Sequence, residues 1–188
     1  KDKRDLQTVK KLVKHLTGAG WSFFGSRYYY GEEHWTCQAA SEASRHMAAK
    51  EALDFCLRWA EFNRVLQYRP GKSPWVIEGA YGVGPILLPR LTPVASRTEA
   101  LVAIYSAAKR QGVPTTALRE QIERGLALLL RYMWLPGPEH LLLDPARALG
   151  GVPGYPADLT VRNDFVQHAG TAMINWAQIL RQEASSAL

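Results

Sequence analysis

Three acidic residues constrain this chain most. Glu33, Glu99 and Asp164 each open a segment with helical periodicity, and they stand 99 − 33 = 66 and 164 − 99 = 65 residues apart. Four positions after each acid come Cys37, Ala103 and His168, one turn further along the same face. Small residues follow, which lets helices approach closely. A long stretch rich in glycine, proline and aromatic residues precedes each helix: 18–33, 69–95 and 135–159. Acids favour helix N-termini because the helix dipole rewards them there. That explains the acids but neither the equal spacing nor the long loops. The pattern predicts a diverged repeat of loop, inner helix, turn and outer helix.

Periodicity predicts helices at about 3–17, 34–47, 49–67, 96–111, 116–134 and 160–183. The one β-like run, "WVIEG" (75–79), is short. The expected fold class is therefore all-α, built from alternating inner and outer helices within a single domain over 1–188. The chain is 47% hydrophobic, which suffices for one well-packed core. No apolar run approaches the roughly 18–20 residues that span a bilayer, so no membrane partner is expected.

The net charge of +6 raises nucleic acid as a partner. The basic residues are scattered among carboxylates, however. The cluster at the start puts Lys3, Lys10 and Lys14 on one helical face, with Leu6, Val9, Val13 and Leu16 on another. This reads as an amphipathic surface helix rather than a nucleic-acid face. The chain begins at Lys1 without a methionine, which suggests an excised or processed piece, and nothing there reads as a signal peptide. Two cysteines, Cys37 and Cys56, do not suggest a disulfide framework, and the expected setting is reducing and cytoplasmic.

Several motifs are absent. "GVGPILLP" (82–89) lacks the lysine and the strand–helix setting of a phosphate loop. No G-x-S-x-G supports a serine nucleophile. "HLLLDP" (140–145) reads as a short apolar packing segment.

Chemistry concentrates at the helix mouths. On the last helix Asp164, His168, Thr171 and Asn175 fall at i, i+4, i+7 and i+11, a polar stripe opposite Phe165, Ala169, Met173 and Trp176. Asp164 is placed to reach His168 one turn on, forming an acid/base element. An ordinary exposed Asp–His contact is the competing expectation. The aromatics of the three loops, Trp21, Tyr29, Tyr30, Trp35 and Tyr155 among them, are expected either to wall a pocket or to pin the loops onto the helix ends.

"YYYGEEHWTC" (28–37), "TPVASRTEALVAIYSAAKRQG" (92–112) and "GGVPGYPADLTVRNDFVQHAG" (150–170) carry a resemblance. Each resembles the start of a hairpin in the α/α-toroid superfamily, which includes six-hairpin glycosidases, sugar epimerases, terpene cyclases and prenyltransferase β subunits. The likeness covers roughly residues 20–183. A closed six-hairpin toroid needs about twice as many helices. The resemblance thus implies a half-toroid, an open arc or part of a larger chain, whose remainder would be a partner.

It further implies a hydrolase or isomerase with a carbohydrate or related polar ligand. Glu33 and Asp164 would then be acid and base, His34 and His168 would relay protons, and Glu99, with the loop aromatics, would hold substrate. No cofactor is required on that reading. The prenyltransferase branch implies instead a zinc ion on Cys37, His168 and Asp164. A third expectation is a non-catalytic interaction domain whose concave arc holds a partner.

Overall fold

The computed structural model describes residues 3–18, 33–47, 50–82, 89–158 and 160–186. Within them the regular structure is helical: α1 (Lys3–Thr17), α2 (Glu33–Ala43), α3 (Lys50–Leu66), α4 (Leu91–Arg110), α5 (Thr116–Tyr132), the single turn α6 (Pro145–Ala148) and α7 (Asn163–Ser186). No strand occurs among the described residues, only the isolated bridges Gln67–Tyr81 and Pro153–Val161. The all-helical expectation therefore holds.

Helix α4 is the axis of the fold. Leu91, Val94, Leu101 and Ile104 are fully buried, and so are Ala95, Ala100, Ala107 and Ala108. The alanines permit close neighbours, and α4 packs against α2, α5 and α7. Even its Arg97 is buried, stacked over the Tyr81 ring at 5.0 Å and donating to the Pro93 carbonyl. The helix begins five residues before the expected 96. Pro93 sits in the first turn, where proline sacrifices no helical hydrogen bond and so does not stop the helix.

Three helices run in parallel. Glu99 on α4 meets His168 on α7, and Tyr105 further along α4 meets Glu183 further along α7. At the C-terminal ends of α2 and α4, Arg110 donates to the Ser41 carbonyl. Helices α3 and α5 return antiparallel beside α2 and α4. Thr98 faces Gly125 so closely that a Cβ at Gly125 would collide with its hydroxyl, which explains the glycine inside α5. Helix α1 packs on α2 and α3, burying Val13, while Val9 and Leu16 of its expected apolar face are exposed.

Four readings of the sequence are resolved by the structure. "WVIEG" is no strand: Trp75–Ile77 is a single 3-10 turn. Its apolar residues do not pair with a ladder; Trp75 stacks under Arg131, whose guanidinium lies 4.1 Å from the ring centre. Second, α2 ends at Ala43 rather than 47, and residues 44–46 form turns. Third, "HLLLDP" does not pack inward, since Leu141 and Leu143 are exposed. The segment holds a 3-10 turn, Glu139–Leu141, and then α6, whose N-cap Asp144 accepts from the Arg147 amide. Fourth, Cys37 and Cys56 form a disulfide across the α2–α3 hairpin, with Cα atoms 5.5 Å apart. They are not free thiols, and the argument for a reducing setting falls with them. No helix among the described residues is long and apolar enough to cross a membrane.

Candidate functional site

The parallel helices α2, α4 and α7 enclose a cleft of about 310 Å³. Residues of α2 and its following turn, and of α4, are spaced i, i+4, i+7 and i+11, and those of α7 i, i+3, i+7 and i+10. From α2 come His34, Gln38 and Ser41, with Arg45 from the turn after it; from α4, Glu99, Ala103, Ser106 and Arg110; from α7, His168, Thr171, Asn175 and Gln178. All of these except His34 and His168 line the cleft wall, and those two histidines pack against each other at its head. Positions at i, i+4, i+7 and i+11, and equally at i, i+3, i+7 and i+10, stay on one helical face, so each helix offers one polar edge to the shared space.

This geometry shifts the repeat register by one residue in α2. The equivalent of Glu99 is His34, not Glu33, and the spacings become 99 − 34 = 65 and 164 − 99 = 65. Cys37 thereby leaves the cleft face. It turns toward α3, where it is fully buried in its disulfide. Gln38 takes its place opposite Ala103 and His168.

At the head of the cleft, His168 Nδ1 lies 2.7 Å from Glu99 Oε2, and both residues are buried. A carboxylate on Nδ1 fixes the imidazole's orientation and leaves Nε2 as the nitrogen that can exchange a proton with a ligand. The His34 ring meets His168 edge-on at 5.4 Å between centres. Trp35 lies 5.5 Å from His168 and 4.8 Å from His34, and is half exposed. One buried acid–histidine pair is thus flanked by a second histidine and an indole face open to solvent.

The walls below are polar and incompletely satisfied. Gln38 Nε2 and Ser41 Oγ are buried and have no hydrogen-bond partner among the described residues. Such groups normally find partners, so this wall has hydrogen-bonding capacity to spare, the amide nitrogen as a donor and the hydroxyl as donor or acceptor. Further down, Arg110 donates to the Ser41 carbonyl and to the hydroxyls of Ser44 and Ser106. Partial burial and the neighbouring Arg45 pull its pKa below the usual arginine value, because both disfavour its charge. Beyond it, Glu183 accepts from Tyr105 at 2.7 Å and pairs with Arg119 and Lys109. The Tyr105 hydrogen bond and the two cations hold the Glu183 carboxyl below its ordinary pKa. This cluster ties α4, α5 and α7 together.

The residues expected from the sequence divide clearly. His34, Trp35, Glu99 and His168 come together. Asp164 does not join them. It is half exposed and pairs with Arg162 at 3.0 Å, so the expected Asp164–His168 contact is replaced by Glu99–His168. The Glu33 side chain and all of Trp21, Tyr29 and Tyr30 lie outside the described residues. Tyr155 is partly exposed on the loop before α7 and does not line the cleft. Cys37 has no thiolate to offer zinc while it is bonded to Cys56, which removes it from the expected ligand set. Among the described residues no group of three or more His, Cys, Asp and Glu side chains is placed to hold a metal ion. Gln38, Ser41 and Arg110 were not anticipated; the equal 65-residue spacing of His34, Glu99 and Asp164 was the signal that pointed to the first two.

Comparison with protein-family models, with curated proteins and with solved structures found no match for the chain.

Proposed function

We propose that this chain is an enzyme, or the catalytic part of one, that binds a carbohydrate-like polar ligand in the α2–α4–α7 cleft and moves protons with the Glu99–His168 pair. One observation carries the reading: a buried carboxylate–histidine contact heads a groove walled by amides and hydroxyls. Sugars present many hydroxyls, each a donor and an acceptor, and Gln38, Ser41, Thr171 and Asn175 match that chemistry. The exposed Trp35 offers a flat face on which a sugar ring stacks.

In this reading Glu99 is a positioning residue for His168, and His168 Nε2 takes or gives the proton. Proton transfer of this kind is common to the isomerase and hydrolase branches of the toroid resemblance. The parallel α2, α4 and α7, with α3 and α5 returning beside the first two, support an arc of the toroid type.

The test is turnover on a panel of oligosaccharides. Reducing-end release would report hydrolysis, and deuterium incorporation at sugar carbons would report isomerisation. Wild type should act on at least one member, and Glu99→Gln should lower its rate by about 100-fold or more, the usual contribution of a positioned acid–base group. Binding without turnover would favour the interaction-domain alternative. Neither binding nor turnover across the panel would overturn the proposal.

A further inference from the structure

The lower half of the cleft carries a charge that proton transfer at its head does not use. Glu99 and Arg110 are eleven residues apart on α4, three turns and the same face, a separation of about 16 Å at about 1.5 Å rise per residue. Arg110 is held in place by three neutral oxygens, of Ser41, Ser44 and Ser106, and by no carboxylate in hydrogen-bond contact among the described residues. Arg45 lines the same end of the cleft from the turn after α2. The local acid, Glu42, is engaged by Arg45 at 3.0 Å and by His46 at 3.4 Å. Just beyond, Lys109 and Arg119 share the carboxylate of Glu183, and Arg119 also pairs with Glu123 at 3.3 Å, which leaves Arg45, Arg110, Lys109 and Arg119 against Glu42, Glu183 and Glu123. Cations therefore outnumber carboxylates along this end of the groove.

We propose that the cleft takes an acidic oligosaccharide. Its anionic substituent, a uronic-acid carboxylate or a sulfate ester, sits on Arg110, while another ring of the same molecule lies at the Glu99–His168 pair. This rests on the carbohydrate reading above and narrows it. Four features support it. The guanidinium is already oriented, so little side-chain freedom is lost on binding. The Arg45 and Arg110 guanidiniums repel, Glu42 offsets this only in part, and a ligand anion between them relieves the rest. The distance from Arg110 to Glu99 suits a ligand of several sugar units rather than one. The Gln38 and Ser41 side chains line the cleft between the two ends, where they would meet its hydroxyls.

The experiment is calorimetric titration of the chain with three probes: a galacturonic-acid trimer, an uncharged galactose trimer, and the galactose trimer bearing one sulfate. At low salt the galacturonate or the sulfated probe should bind at least about tenfold more tightly than the neutral one, and added salt should erase that margin. Which of the two wins distinguishes carboxylate from sulfate. Arg110→Gln should lose the margin while keeping affinity for the neutral trimer. Arg110→Lys, which keeps the charge and checks for a simple folding defect, should keep part of it. Equal affinity for charged and neutral trimers in wild type would overturn the acidic specificity and leave the carbohydrate reading standing. An acidic preference that survives in Arg110→Gln would overturn the role of Arg110. Failure of all three probes to bind would overturn both proposals together.

Discussion

On the proposed function the His168–Glu99 contact serves both stability and proton transfer, and the two can be separated. Truncating His168 to alanine strips Glu99 of its partner in a buried place, which costs about 1–3 kcal/mol for an orphaned polar group. His168→Ala should therefore lower the melting temperature measurably as well as abolish turnover. Glu99→Gln keeps the size and one hydrogen bond to the imidazole. It should change stability by less than about 1 kcal/mol while removing activity. Thermal melts beside rate measurements on both variants check this. A Glu99→Gln protein with full activity would reduce the pair to a packing contact. The sequence placed both residues near a helix mouth but paired His168 with the wrong acid. Asp164 is its neighbour in sequence, four residues away, whereas Glu99 becomes its neighbour only through the way α4 and α7 cross. Local spacing holds no record of that crossing.

At the scale of elements, two ties hold the cleft-forming helices. The disulfide joins α2 to α3 across a 19-residue separation, and closing a loop of that size contributes about 3 kcal/mol. Cys56→Ala or reduction should lower stability by about that amount, read from denaturant melts with and without reductant. No change on reduction would contradict it. A trace of the bond was present in the sequence. Cys37 precedes the end of α2 by 43 − 37 = 6 residues, and Cys56 follows the start of α3 by 56 − 50 = 6, so they face each other across the hairpin. The helix ends had to be known to within a residue to see this, and the α2 end was misplaced.

The second tie is Glu183, whose carboxyl is held below its ordinary pKa by Tyr105, Lys109 and Arg119. A group whose folded pKa is depressed contributes stability above its unfolded pKa and loses it as pH falls through the folded value. The α4–α7 clamp should thus weaken only on acidification below the ordinary glutamate range. Glu183→Gln should lower stability at neutral pH and flatten the acid limb of the stability profile. An acid limb identical to that of wild type would rule the clamp out.

Across the whole molecule, helical periodicity made the layout legible. Apolar residues at helical spacing mark α1, α3, α5 and α7 to within a few residues, because burial on one face leaves that imprint in any sequence. Helix α4 was harder, since it is buried nearly all round and carries little amphipathic pattern; its start was misread at Pro93. The repeat was visible as a spacing, but aligning acid with acid set its register one residue off in α2. Which face of a helix meets its neighbours is decided by packing, and only the placement of His34 against His168 resolves it. On the proposed function the polar edges of α2, α4 and α7 form one ligand-binding cleft.

Side-chain amide nuclear magnetic resonance tests that claim most directly. On titration with the galacturonic-acid trimer, the amide groups of Gln38, Asn175, Gln178 and Gln182, which line the cleft from two helices, should shift together with a single affinity. Those of Gln7 on α1 and Gln67, which is locked onto the Gly79 and Gln121 carbonyls, should not move. Cleft amides that stay still while Gln7 or Gln67 responds, or a titration that moves none of them, would contradict the account.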